Sequence, residues 1–383
     1  MRVGEREYRS IWNDEKDLAT VRVIDQRTLP FSFDILALRS VDDVCMAIST
    51  MAVRGAPLIG AAAAWGIYLS YLEHSGDKDP VVSVLTDAAR LKATRPTAVN
   101  LTWAVDNMME EIMNFTGKAE PLHATFLLRK KASDLCDAEV ERCRQIGLHG
   151  LSVIREASLK KNGKTLNILT HCNAGWLACV DYGTALAPVY MAHDNGIDLH
   201  VWVDETRPRN QGGRLTAWEL RNHGVPCTLI TDNAGGYLMQ SGRIDMVIVG
   251  CDRATACGDV VNKTGTYLKA LAAHDNGIPF YSAFPVSTFD LATEKPEDVP
   301  IEERDGDEVR TFEGIPKSYL NEQRETLHAT SMPGKTQSFF ICQHDMPVSN
   351  YGFDITPARL ITGIITDRGI CKADMESIKK ILS

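Results

Sequence analysis

Met246-Val247-Ile248-Val249-Gly250-Cys251-Asp252-Arg253 is the stretch on which the fold turns. A short apolar run breaks at a glycine and is followed at once by a carboxylate and a guanidinium. This is how a buried strand looks when it delivers polar groups at its carboxyl end. The same texture recurs at Leu166 to Thr170, Leu199 to Val203, Cys227 to Thr231, Phe280 to Phe284 and Leu360 to Thr366, with helical stretches between. Alternation of this kind predicts an α/β unit with a parallel sheet flanked by helices. The hexapeptide Ala-His-Asp-Asn-Gly-Ile stands at 192–197 and again at 273–278, each time between a helical stretch and an apolar run. Its glycine suits the left-handed residue past a helix end.

Upstream the texture is different. Val21 to Asp25 alternates as a short extended entry, while Asp42 to Met51, Gly60 to Leu72 and Leu101 to Met113 repeat at helical spacing. Arg95-Pro96-Thr97 reads as a loop, and a further helix is expected over about 122–148, ending near Gly147 and Gly150. The chain therefore divides into a helix-rich part with a short β element, 1–150, and a sheet-containing catalytic part, 151–383. Its 383 residues, 44% apolar and 24% charged, suffice for two cores.

A net charge of −9 argues against nucleic-acid binding by bulk electrostatics, so any phosphate site must be local. None of the ten cysteines forms a C-x2-C pair or stands at zinc-finger spacing from a histidine, and no structural metal is expected. The start is charged, and the apolar stretch Ala61 to Leu72 falls short of membrane-spanning length. A soluble intracellular protein with reduced thiols and no membrane partner is expected. Neither GxGxxG after a strand nor GxxxxGK[ST] occurs, so no nucleotide cofactor is indicated.

In an open parallel sheet, ligands sit beyond the carboxyl ends of the strands. There the sequence places Thr170-His171-Cys172-Asn173-Ala174-Gly175, Asp204-Glu205-Thr206-Arg207, Asp232-Asn233 and Cys251-Asp252-Arg253, which can converge on one crevice. Cys172 sits between a strand and an expected helix whose positive end would favour thiolate; the alternative is a buried structural thiol. Asp252, beside apolar strand ends, can have a raised pKa and carry a proton, or it can pair with Arg253 or cap a helix. Arg54-Gly55-Ala56 places a guanidinium and a glycine ahead of a helix, where free backbone N–H groups bind anions, though Arg54 could be a structural ion-pair partner. Gln211 in Gln-Gly-Gly-Arg and the pair Asn262-Lys263 suit sugar hydroxyls and phosphate, or could equally be loops.

At these residues the chain resembles the methylthioribose-1-phosphate isomerase family, relatives of the regulatory alpha, beta and delta subunits of translation initiation factor 2B. The likeness runs through Val53 to Pro57, Arg95 to Asn100, Thr170 to Gly175, Glu205 to Pro208, Gln211 to Leu220, Gly258 to Tyr267, Pro279 to Tyr281 and Phe353 to Pro357. It implies a Rossmann-like C-terminal domain, a helical N-terminal domain, a homodimer, a small sugar-phosphate substrate, no cofactor and a place in methionine salvage. It also implies a cytoplasmic setting, extended to the nucleus in a eukaryotic cell. By position, Asp252 matches the proton donor and Cys172 the cysteine assisting the transition state. Arg54, Gly55, Ala56, Arg95, Gln211, Asn262 and Lys263 match substrate-contacting positions. Cys251 and Cys257 depart from the pattern, as do Tyr351-Gly352 and the long stretch Thr311 to Ser349, which can be an inserted surface loop or a lid; Lys317, Glu322, Arg324 and Glu325 favour the surface loop. The same fold also serves noncatalytic regulatory subunits, and 5-deoxyribose 1-phosphate and ribose 1,5-bisphosphate are alternative substrates.

Overall fold

The computed structural model describes residues 1–95, 98–115, 120–317 and 336–383. The expected loop residues Pro96 and Thr97, and Glu322, Arg324 and Glu325, lie outside the described residues. Lys317 is exposed, as expected.

The six apolar runs form a parallel sheet in the spatial order Cys227–Ile230, Leu199–Asp204, Leu166–Thr170, Met246–Val249, Phe280–Ala283, Gly363–Thr366; Gly369–Cys371 adds an antiparallel edge. Numbered along the chain, the parallel strands run 3-2-1-4-5-6, the doubly wound order in which the winding reverses between strands one and four. That reversal lies between Leu166–Thr170 and Met246–Val249, which pair through Ile168 with Met246 and Leu169 with Val247. A crevice opens there because the connections leave the two strands in opposite directions. The repeated hexapeptide makes the joints expected of it. Gly196 and Gly277 have φ of 74° and 65°, and Ile197 and Ile278 donate back to Ala192 and Ala273.

Beside this sheet, Phe289–Asp290, Arg253–Thr255, Val260–Lys263 and Phe353–Thr356 form a four-stranded sheet. The N-terminal part has a three-stranded sheet, Ile11–Asn13, Val21–Ile24 and Ile35–Leu38, followed by helices Val41–Ser49, Ala56–His74, Pro80–Thr94 and Val99–Phe115. Ala56–His74 is apolar on every face and buried from Leu58 to Tyr71, so its neighbours enclose it completely.

The next helix, Pro121–Lys160, does not end near Gly147 and Gly150 but runs through both. A Cβ at Gly147 would lie 2.7 Å from the Met191 side chain, and one at Gly150 would lie 2.4 Å from Pro188 Cγ. These glycines let helix Ala187–Asp194 approach closely; they are packing residues rather than stops. The long helix gives Ala124, Leu128, Ala132 and Cys136 to the N-terminal core, and Ile146, Leu151 and Ile154 to the core under the sheet. Within the stretch from Thr311 to Ser349, Thr311–Gly314 pairs antiparallel with Gln337–Phe340, and Phe312, Phe339 and Phe340 are exposed. Among the described residues, no helix is long and apolar enough to cross a membrane.

Candidate active site

A cavity of about 180 Å³ opens at the winding reversal, and all nine residues singled out from sequence line it: Arg54, Gly55, Ala56, Arg95, Cys172, Gln211, Asp252, Asn262 and Lys263. Cys172 follows the first strand and Asp252 the fourth, so the two flank the crevice.

Arg54 is buried and grips Asn173 twice, donating from Nη1 to Oδ1 at 2.6 Å and from Nη2 to the backbone oxygen at 2.8 Å. Gly55 has φ 95°, ψ 134°, and a Cβ there would lie 2.4 Å from the Ala178 carbonyl oxygen. Only glycine can bring this turn so close while starting the helix at Ala56. The opening turn of that helix therefore faces the cavity, with Pro57 placed where no N–H is required.

Asp252 donates its backbone N–H to Val261 and keeps its side chain open to the cleft. Arg253 pairs with Asp290 at 3.2 Å instead, which removes the Asp252–Arg253 pairing as an explanation. Crowding by protein pushes the Asp252 carboxyl up, against the pull of Lys263, Arg54 and Arg95; Glu302 pushes it up further. Lys263 is buried, donating to the Gly352 oxygen at 2.7 Å with its ammonium 4.9 Å from the centre of the Phe353 ring. Asn262 donates to Thr266 at 3.0 Å. Gln211 leads into a single π-helical turn, Gly212–Thr216, and its buried Oε1 has no hydrogen-bond partner among the described residues.

Cys172 differs from its sequence reading. No α-helix starts behind it: the chain makes only a short 3-10 turn, Trp176–Ala178, so no helix dipole favours the thiolate. Burial pushes the thiol up although Arg54 and Lys263 pull it down. Its φ of 66° is unusual for a residue with a side chain, and the backbone is held by donation from Cys172 N to Thr206 Oγ1 at 2.9 Å.

Asp204 to Arg207 and Asp232-Asn233, just after the second and third strands, do not line the cavity, contrary to expectation; Asp204 and Asp232 brace the loop that does. Asp204 holds His171 Nδ1 at 2.8 Å and Lys269 at 3.2 Å, while Asp232 accepts from the N–H groups of Thr206 and Arg207. Among the described residues, His171, Asp204 and Asp232 bring donor atoms within 4.8 Å of one another. Lys269 takes Asp204 Oδ2 at 3.2 Å and the two backbone N–H groups take both oxygens of Asp232.

Sequence reasoning missed Arg209, Glu302 and Arg304, which also line the cavity. Arg304 bridges Glu302 at 3.1 Å and Glu308 at 2.7 Å, and Arg209 meets Glu308 at 2.8 Å. Arg95 stands 3.9 Å from Glu302, and burial pushes its guanidinium pKa down. The run Ile301-Glu302-Glu303-Arg304 carries no apolar periodicity that would have marked it.

The Initiation factor 2 subunit family matches residues 52–373. Methylthioribose-1-phosphate isomerase of Desulfatibacillum aliphaticivorans is 51% identical over 382 residues, 100% of this chain and 98% of that protein. The protein of the same name from Gluconobacter oxydans is 48% identical over 383 residues, again covering 100% and 98%. Among solved structures, 5-methylthioribose 1-phosphate isomerase from Pyrococcus horikoshii OT3 superposes with a TM-score of 0.82 at 36% identity, covering 98% of this chain and 96% of that one. Translation initiation factor eIF-2B subunit delta from A. fulgidus gives 0.80 at 34% identity, with 98% and 99% covered. The chain therefore belongs to the Initiation factor 2 subunit family and, within it, to the methylthioribose-1-phosphate isomerases.

Proposed function

We propose that the chain is an aldose–ketose isomerase that converts 5-methylthio-D-ribose 1-phosphate to 5-methylthio-D-ribulose 1-phosphate in methionine salvage. The observation that carries this reading is the convergence of Asp252 and Cys172, from either side of the winding reversal, on a cavity that also holds Arg54, Arg95 and Lys263. A sugar phosphorylated at its anomeric oxygen cannot open freely to an aldehyde. The C1–ring oxygen bond breaks only as a proton reaches the departing oxygen, and a carboxyl with a raised pKa supplies it. Asp252 takes this role. The guanidiniums of Arg54 and Arg95, the ammonium of Lys263 and the turn at Gly55-Ala56 hold the phosphate; Gln211 and Asn262 hold sugar hydroxyls.

Hydrogen must then move from C2 to C1. A thiol held neutral by burial is a weak base, which favours a hydride shift, with the C2 hydroxyl passing its proton to the Asp252 carboxylate as the carbonyl forms, which restores the acid, and Cys172 packed against the reacting carbons. Turnover in deuterium oxide separates the routes. A hydride shift leaves C1 of the ketose free of deuterium, whereas proton shuttling by Cys172 with solvent exchange introduces it. Absence of ketose altogether would favour a regulatory role of the kind named for the A. fulgidus relative. The same reading includes a homodimer acting in the cytoplasm.

A further inference from the structure

Glu219 lies on helix Ala217–His223, behind the wall of the cavity, and is completely buried. Its carboxylate receives four hydrogen bonds: from Asn173 Nδ2 at 2.8 Å, Trp176 N at 2.9 Å, Leu177 N at 3.2 Å and the Tyr190 hydroxyl at 2.8 Å. Three of these come from the loop that carries Cys172. The loop folds over the carboxylate so closely that a Cβ at Gly175 would lie 1.8 Å from Glu219 Oε2. Burying a charge this deeply is costly unless donors surround it, and here they do.

Asn173 joins this buried anion to a cation. Its amide nitrogen faces Glu219 and Thr216 Oγ1, and its amide oxygen faces Arg54 Nη1. A carboxylate accepts and cannot donate, so it fixes which end of the amide points at the cavity. A flipped amide would set its NH2 against the Arg54 guanidinium, donor against donor. In the observed orientation Arg54 gives two of its five N–H groups to Asn173, and its place in the cavity wall puts the guanidinium within reach of a ligand.

We propose that Glu219 is a positioning residue: through Asn173 it aims Arg54 at the substrate phosphate. This rests on the reading of Arg54 as a phosphate ligand, and the test is chosen so that it does not depend on turnover. Inorganic phosphate binding is measured by titration calorimetry in wild type, Glu219→Gln, Asn173→Ala and the double variant. Each single variant is expected to weaken phosphate binding substantially, up to about 100-fold for a guanidinium displaced by about 1 Å. The double variant should be no worse than Asn173→Ala alone. Equal losses from Glu219→Gln with and without the Asn173 side chain would overturn the proposal and leave Glu219 a purely structural residue. If wild type binds phosphate but turns over no methylthioribose phosphate, the isomerase reading fails while this one stands.

Should Glu219→Gln not fold, wild type carries the test through pH. Burial pushes the Glu219 carboxyl up to about 7, against the pull of Asn173, Tyr190, Leu177 and Arg54, while its charge in turn bears on the Cys179 thiol. Phosphate binding should then weaken as pH falls through about 7 by more in wild type than in Asn173→Ala. Parallel pH curves in the two proteins would overturn the proposal.

Discussion

Gly55→Ala probes the phosphate cradle with one carbon atom. The new Cβ would stand 2.4 Å from the Ala178 oxygen and 2.7 Å from the Ala178 Cα, both backbone atoms that no rotamer change can move. Ordinary contact needs about 3.4 Å, so the turn and Ala178 must part by roughly 1 Å. The backbone at φ 95°, ψ 134° is also a conformation that residues with side chains avoid, costing about 1–3 kcal/mol. Arg54 precedes this turn and Ala56 follows it, so the shift is passed directly to the groups assigned to the phosphate. An error of about 1 Å in such a group costs on the order of 10²-fold. The expected outcome is a stable but weakened protein, with unfolding free energy down by about 1–3 kcal/mol and kcat/KM lowered by on the order of 10²-fold. Steady-state kinetics and denaturant unfolding on the same preparations give both numbers. Wild-type kcat/KM together with wild-type stability would refute the close-approach reasoning.

Glu302→Gln removes an anion that pushes the Asp252 carboxyl up. Since Asp252 acts protonated, the alkaline limb of the kcat/KM profile should move to lower pH, and an unmoved or upward-shifted limb would count against Asp252 as the acid. Arg54→Lys loses the two-pronged grip on Asn173 at 2.6 and 2.8 Å. At about 1.5–3 kcal/mol for hydrogen bonds to a charged group, kcat/KM should fall roughly 10- to 150-fold; a smaller change would mean the fork is not needed. Gly150→Ala pushes a Cβ to within 2.4 Å of Pro188 Cγ, and neither residue lines the cavity. Overpacking of this kind should cost about 1–3 kcal/mol of stability with little effect on KM, read by thermal unfolding beside kinetics.

The central parallel strands were legible because Met246–Val249 and Gly363–Thr366 are buried along their whole length, which leaves an uninterrupted apolar run in the sequence, whereas the edge strand Cys227–Ile230 is only partly covered. Leu166–Thr170 and Met246–Val249 coincide with their runs. The repeated hexapeptide was legible because a helix end needs its positive-φ glycine at a fixed offset. Gly147 and Gly150 misled, since a glycine that admits a neighbouring helix looks no different in sequence from one that ends its own. The dipole expected at Cys172 failed because Thr206 and the 3-10 turn, rather than an α-helix, hold that loop. Glu302 and Arg304 come from an irregular segment and reach the cavity only through tertiary folding. Glu219, between Trp218 and Leu220 on a short helix, reads as an ordinary surface charge until the loop closing over it is seen.

The most direct measurement is ketose formation from 5-methylthioribose 1-phosphate, followed by NMR, for wild type, Asp252→Asn and Cys172→Ser at equal folded concentration. The expected result is turnover by wild type, near-complete loss in Asp252→Asn because the carboxamide has no acidic proton to give the ring oxygen, and a large fall in Cys172→Ser. Wild-type rates in Asp252→Asn would contradict the assignment of the acid and, with it, the proposed chemistry of the cleft.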